Sequence, residues 1–439
     1  NAFRIMKSTK FKEGAMNTQT ITIGFLLFAI VMFAWEKIPL WVTAMIVAVG
    51  LTLTNILEAK DAFAGFTDSN VLLFMAMFII GAAFFETGMA QRVGGLVTKF
   101  AKTERQLIAA VMIITGLMSG ILSNTGTAAV LIPVLIGISQ STKFPKSKIL
   151  LPLVFAAAMG GNLSLIGAPG NMIAQSGLET IGESFGFFEY AKIGLPVLIV
   201  GIIFFVTIGY KLLPDNVANE DADSIYSQEK SYEDVPEWKV WVSLIVLIFT
   251  VLAMVLEKKI GIKLFVSAWI GALVLVVTGV ISSSDAIKSI DMNTILLYVG
   301  SLALASALKE TGTGDLIANS IVSKLGDNPS PTALMIIIFI ICAILTNFMS
   351  NTATTALMVP ISISISQAIG ADPRAVLMAT VIGGSMAYAT PIGMPANTMV
   401  YNVGGYKFND YVKAGLPLII VCGTLSLILL PIFFPFFPN

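Results

Sequence analysis

Seven short motifs in this chain each occur twice, in the same order, with 221 to 227 residues between the copies. Glu36-Lys37 is answered by Glu257-Lys258, Asp61-Ala62 by Asp285-Ala286, and Asp68-Ser-Asn70 by Asp291-Met-Asn293. Glu86-Thr-Gly88 returns as Glu310-Thr-Gly312, and Ser123-Asn124-Thr-Gly-Thr127 as Ser350-Asn351-Thr-Ala-Thr354. Gly167-Ala-Pro-Gly-Asn171 returns as Gly393-Met-Pro-Ala-Asn397, and Lys192-Ile-Gly-Leu-Pro196 as Lys413-Ala-Gly-Leu-Pro417. Whatever fold one half adopts, the other half must repeat it.

The solvent of that fold is lipid. Hydrophobic residues make up 56% of the chain and charged residues 12%, against about 25% charged in soluble domains. Apolar runs of about 20 residues recur throughout, each long enough to cross a hydrocarbon core. This composition excludes a soluble enzyme. A multi-pass protein of the plasma (inner) membrane is expected, its partners being the lipid bilayer and a small solute.

In each half the pattern predicts three full spans, at 20–36, 38–57 and 70–89, then at 238–256, 263–281 and 293–309. Two apolar runs follow around each Ser-Asn-Thr, at 106–140 and 332–369. Next come long runs interrupted by Gly-x-Pro-x-Asn, at 148–178 and 374–402, and closing spans at 191–213 and 412–435. The domain reading is an irregular tail over 1–19, with Met16 a candidate natural start, a first repeat over 20–213, a polar linker over 214–237 and a second repeat over 238–436.

If each Ser-Asn-Thr run is a re-entrant hairpin, a half crosses the membrane five times. An odd number forces the halves into opposite orientations, so the expected fold is an all-α polytopic protein of two inverted-topology repeats. With the linker cytoplasmic, 14 basic residues fall inside and 8 outside, leaving aside the four before Met16. That count places the first hairpin's entry on the cytoplasmic side and the second's outside.

The hairpins and broken runs are where chemistry is expected. A break inside the bilayer frees carbonyls at the end of one half-helix and N–H groups at the start of the next. Such groups are tolerated at that depth only where protein or a water-filled cavity satisfies them. Free carbonyls with Ser, Thr and Asn oxygens suit a hard monovalent cation, and free N–H groups suit an anion. Pro169 and Pro395 are expected to remove a helix hydrogen bond, Gly167 and Gly393 to allow unwinding, and Asn171 and Asn397 to complete the breaks.

Absences narrow the reading. No Asp or Glu occurs from Gln106 to Leu178, and histidine is missing from the whole chain. An intramembrane proton relay normally uses buried Asp, Glu or His, so sodium is the expected coupling ion rather than a proton. No buried base is available for an enzyme either. The net charge is zero, which gives nucleic acid no partner surface. Cys342 and Cys422 sit in apolar runs and offer neither a disulfide framework nor a CxxC metal site. No cofactor is expected beyond Na+ as coupling ion.

The paired Ser-Asn-Thr tips, each followed by Pro133 or Pro360, together with both Gly-x-Pro-x-Asn breaks, resemble the divalent anion–sodium symporter family over about residues 20–436. The resemblance implies a homodimer with a scaffold domain and a transport domain that moves as an elevator. It implies a first sodium site at Ser119, Ser123, Asn124 and Gly167, and a second at Thr346, Ser350, Asn351 and Gly393. The substrate would meet Ser123, Asn124, Thr125, Ser350, Asn351 and Thr352, beside Met394 and Pro395. The substrates implied are C4 and C5 dicarboxylates such as succinate, malate and 2-oxoglutarate, moved by sodium symport or by exchange.

Three departures from the family pattern matter. Met394 stands where dicarboxylate members commonly carry a hydroxyl. Thr390-Pro-Ile-Gly393 and the run from Asn397 through Tyr406 are similar to the sulfate branch, so sulfate or another inorganic oxyanion is the alternative solute. No extra helix precedes the first repeat, so ten spans are expected where eleven are typical. Inverted repeats with re-entrant loops also occur in channels, and an anion channel is the rival from another class.

Overall fold

The computed structural model describes residues 2–35, 37–95, 103–142, 144–215, 232, 234–324 and 330–437. It is all-α, and each half follows the same order of elements. In the first half α1 is Ala2–Trp35, α2 Leu40–Leu53 and α3 Ser69–Glu86. The hairpin legs are α4 (Glu104–Ser119) and α5 (Asn124–Thr142), and the broken run is α6 (Lys146–Gly160) and α7 (Pro169–Glu179). The half closes with α8 (Ala191–Val206).

The second half runs α9 (Glu237–Val255), α10 (Leu264–Val277), α11 (Met292–Glu310), α12 (Pro331–Leu345) and α13 (Asn351–Ala368). It continues with α14 (Pro373–Gly384), α15 (Pro395–Val403) and α16 (Phe408–Phe433). Most of the 214–237 linker, residues 216–231 and 233, lies outside the described residues.

Two expectations change. The 1–19 tail, read as irregular, continues α1 back to Ala2; no proline interrupts the chain before Pro39, so nothing in the sequence forces the helix to stop. Among the described residues, five helices are by length and composition able to cross a membrane alone. The other crossings consist of shorter pieces. For example, the 14 residues of α2 extend only about 21 Å.

The duplicated motifs turn out to be the joints of this architecture. Asp68 and Asp291 cap α3 and α11, each accepting from the N–H two residues on, at 2.8 and 3.1 Å. The Glu-Thr-Gly copies end those helices in matching turns, Gly88 at φ +76° and Gly312 at φ +67°, where a side chain would be strained. In Lys-x-Gly-Leu-Pro the glycine matters for contact. A Cβ on Gly194 would lie 2.0 Å from the Asn162 carbonyl oxygen, and one on Gly415 2.0 Å from that of Tyr388. The closing helices α8 and α16 therefore touch the unwound backbone of the two breaks directly.

Helices from both halves interleave in two bundles. In one, α2 lies so close to α11 that a Cβ on Gly300 would sit 2.4 Å from the Ala44 carbonyl oxygen. Thr87, which caps the end of α3, meets Ser243 of α9 at 2.9 Å. In the other, hairpins, broken runs and closing helices pack together. Tyr406 donates to the Ser147 carbonyl at 2.6 Å, and Ser385 donates to Asn162 Oδ1 at 3.1 Å.

A cluster of charge clips the second bundle at one end. Glu189 accepts from Arg374 at 2.5 Å, Lys192 at 3.1 Å and the Gly186 N–H at 2.8 Å. Partial burial alone would raise its carboxyl, but these donors and charges outweigh burial and hold it below the ordinary glutamate value of 4.5. A depressed carboxylate contributes stability that is present above its unfolded value and lost as pH falls through the folded one. Glu189→Gln should lower thermal stability at pH 7 by on the order of 1 kcal/mol and flatten the loss below pH 4.5. Unfolding curves at pH 7 and pH 4 check this; an unchanged pH dependence in the variant would remove Glu189 from the account.

Candidate functional site

The unwound segments shape the site. Pro169 and Pro395 stand at the first position of α7 and α15, where a helix N–H has no partner anyway. Contrary to expectation, they start the second half-helices rather than remove a bond from a continuous one. The breaks themselves fall before them and are bridged by the asparagines. Asn171 Nδ2 donates to the carbonyls of Gly161 at 2.8 Å and Ser164 at 2.7 Å. Asn397 Nδ2 does the same for Ala387 at 2.7 Å and Thr390 at 3.0 Å. Two tyrosines complete the joint: Tyr190 donates to the Asn171 carbonyl and Tyr411 to that of Asn397, at 2.8 and 2.6 Å.

Gly167 and Gly393 are also explained differently. Neither has positive φ; they are close-approach positions. A Cβ would lie 2.4 Å from the Gly161 carbonyl oxygen at the first and 2.3 Å from that of Thr346 at the second.

At each hairpin tip the structure collects oxygens. Ser119 Oγ lies 2.6 Å from Asn124 Oδ1 and 2.7 Å from the Ala157 carbonyl. Thr346 Oγ1 lies 2.7 Å from Asn351 Oδ1 and 2.5 Å from the Gly384 carbonyl. With its oxygen inward, Asn124 faces Ala157 O and Gly167 O at 3.1 Å as well as Ser119 Oγ, and with its amide reversed the nitrogen donates to all three. The first arrangement is an all-oxygen set without carboxylate or sulfur, the donor chemistry of a hard monovalent cation. Among the described residues no group of His, Cys, Asp or Glu could hold another metal.

Ser123 and Ser350 have a second role. Each precedes the second leg of its hairpin and accepts from the N–H three residues on, Gly126 at 3.0 Å and Ala353 at 3.1 Å, as a helix N-cap. The first residues of α5 and α13, Asn124, Thr125, Asn351 and Thr352, line a cavity of about 470 Å³.

The structure brings all eight expected substrate residues to this cavity: Ser123, Asn124, Thr125, Ser350, Asn351, Thr352, Met394 and Pro395. Met394 reaches across from the second half, its Sδ 3.9 Å from Asn124 Nδ2. Of the expected cation residues, Ser119 and Thr346 are fully buried behind the tips.

The sequence reading missed the opposite wall, formed by Trp41 of α2, Phe78 of α3 and Asp291, Asn293 and Thr294 at the start of α11. Asp291 corrects the expectation of a site without acids. Its oxygens serve the helix start, accepting from the N–H groups of Asn293 and Thr294 and from Thr294 Oγ1 at 2.5 Å. No Lys or Arg lines the cavity among the described residues. The carbonyls of Ala157 and Gly384 were also missed, since a backbone ligand has no side-chain signature. The tyrosines did carry a signal, because both stand two residues before a Lys-x-Gly-Leu-Pro copy.

An uncharacterized transporter of Haemophilus influenzae is 28% identical, covering 91% of this chain and 88% of that one. The sodium-dependent dicarboxylate transporter SdcS of Staphylococcus saprophyticus is 22% identical over 87% of this chain and 79% of its own. Among solved structures, MtrF of Neisseria gonorrhoeae, described within a class of antimetabolite efflux pumps, superposes with a TM-score of 0.63 at 17% identity over 95% of both chains. This likeness establishes the shared fold of a polytopic transporter. The citrate transporter family (CitMHS) matches residues 30–383 and 253–438, and with two breaks, two capped tips and one shared cavity this chain belongs to that family of membrane transporters.

Proposed function

We propose that the chain is a secondary active carrier of C4 and C5 dicarboxylates, such as succinate, malate and 2-oxoglutarate, coupled to sodium. The observation that carries this reading is the cavity walled by two opposed helix N-termini with an oxygen cage behind each. A helix N-terminus is equivalent to about half a positive charge, so two of them offset about one charge of a dianion. With no cationic side chain at the wall and Asp291 at its edge, the remaining charge calls for co-bound cations. The oxygen sets of Ser119, Asn124, Ala157 and Gly167, and of Thr346, Asn351 and Gly384, are the places for them.

Asn124 links the two ligands. When its oxygen joins the cation cage, its amide nitrogen turns toward Met394 and the cavity, where it donates to a carboxylate. When its nitrogen turns inward, the oxygen faces the cavity and repels an anion. One amide thereby favours anion binding with the cation present and disfavours it without. The similarity to a sodium-dependent dicarboxylate transporter supports the same solute class.

In this reading the bundle containing α2, α3, α9, α10 and α11 is the scaffold of a homodimer. The hairpins and broken runs move against it as an elevator, and by the distribution of basic residues the cavity opens here to the cytoplasm. The domain boundaries at 213 and 238 follow from the same reading.

The test is uptake of labelled malate into proteoliposomes, with and without a sodium gradient and with and without internal dicarboxylate. Sodium-driven uptake is expected, and exchange alone would replace symport by antiport. No uptake in any of the four conditions overturns the dicarboxylate assignment. Loss of malate uptake under equimolar sulfate would move the assignment to inorganic oxyanions.

A further inference from the structure

Away from the cavity at the tips, a polar cluster ties α3 and α11 of one bundle to α7 of the other. Asn70 at the start of α3 donates through Nδ2 to Ser176 Oγ at 2.7 Å and to Glu179 Oε2 at 3.1 Å, both on α7. Tyr298 of α11 shares a hydrogen bond with Ser176 and donates to Asp68 Oδ1 at 3.2 Å. Asn70, Ser176 and Tyr298 are 4%, 2% and 0% exposed. None of these residues touches the cavity or the oxygen cages.

The inverted repeat supplies a counterpart for each. The register that pairs Asp68 with Asp291 pairs Asn70 with Asn293, and the one that pairs Asn171 with Asn397 pairs Ser176 with Asn402. Asn293 lines the open cavity on α11, and Asn402 lies near the end of α15. Both are exposed, and no side-chain hydrogen bond joins them among the described residues. The same two positions are thus buried and bonded in one half and parted in the other.

We propose that these are two alternating latches of the transport cycle. Asn70 on Ser176 holds the state seen here; when the access side changes, that pair parts and Asn293 closes on Asn402. The two are unequal, because Glu179 and Tyr298 correspond to Gly405 and Met75. The second latch lacks both the acid and the phenol, so the empty carrier favours the state seen here. The proposal rests on the transport reading only in requiring two access states, and its primary readout needs no substrate.

The experiment is disulfide trapping in the full chain with Cys342→Ala and Cys422→Ala, using copper-phenanthroline as oxidant. Asn70→Cys with Ser176→Cys should cross-link in most molecules, and Asn293→Cys with Asn402→Cys in a minor fraction. Adding Ser176→Ala should raise the second cross-link several-fold. Where labelled malate is carried, either cross-link should stop uptake and reduction should restore it.

The proposal is overturned if Asn293→Cys with Asn402→Cys never cross-links, even with Ser176→Ala, in protein that unfolds as the parent does, or if the Asn70–Ser176 cross-link leaves uptake intact. A carrier inactive toward malate but showing both cross-links and the shift would sink the substrate assignment and keep the latch.

Discussion

Asn124→Ala and Asn351→Ala each reduce uptake by at least about 100-fold, in protein that expresses and unfolds much as the parent does. Each substitution removes an oxygen from a cage and an amide donor from the cavity wall. Hydrogen bonds to charged groups contribute about 1.5–3 kcal/mol each, and 1.4 kcal/mol is about tenfold, so two lost contacts give the factor. Stability should be spared because Ser119 keeps its bond to the Ala157 carbonyl and Thr346 its bond to that of Gly384. The helix caps at Ser123 and Ser350 also remain. Proteoliposome uptake paired with thermal unfolding separates the two effects. Parental turnover in either variant would show that the tips are packing devices.

Gly415→Ala and Gly194→Ala act on the frame instead, and each is expected to cost substantial stability for a single methyl group. The new Cβ would meet a backbone oxygen at 2.0 Å in both cases, with no rotamer to move aside. Overpacking typically costs about 1–3 kcal/mol and occasionally more; here the closing helix must separate from the break it supports, which puts the cost at the upper end. Gly137→Ala is the control, since nothing lies within 4 Å of its Cβ position, and alanine favours a helix by about 1 kcal/mol. Unfolding of Gly415→Ala at the parental temperature would refute the contact reading of the Lys-x-Gly-Leu-Pro motif.

The contrast between these predictions reflects what the amino-acid order reveals. Duplication exposed the breaks, the tips and the two closing helices, because each requires a particular residue: proline at a helix start, asparagine across an unwound segment, glycine at a contact. The same logic could have found Tyr190 and Tyr411, which repeat in register. It could not find Ala157 and Gly384, which offer only carbonyls, nor Trp41, Phe78 and Thr294, which reach the cavity through tertiary packing. Asp291 was legible as a helix cap but not as part of the cavity wall, since only the packing of α11 beside the tips brings it there. Helix lengths were blurred for a related reason. Hydropathy marks what lies in lipid, whereas the 14-residue helices α2 and α10 end where turns begin, inside longer apolar runs.

If Asn124 and Asn351 serve both ligands, as proposed, sodium and anion binding are thermodynamically linked, each ligand raising the affinity for the other by the same factor. The direct measurement is calorimetric titration of malate into purified protein, in sodium chloride and in choline chloride of equal ionic strength. At least tenfold tighter binding in sodium is predicted, with the difference abolished in Asn124→Ala. Equal malate affinity in the two salts would contradict the account.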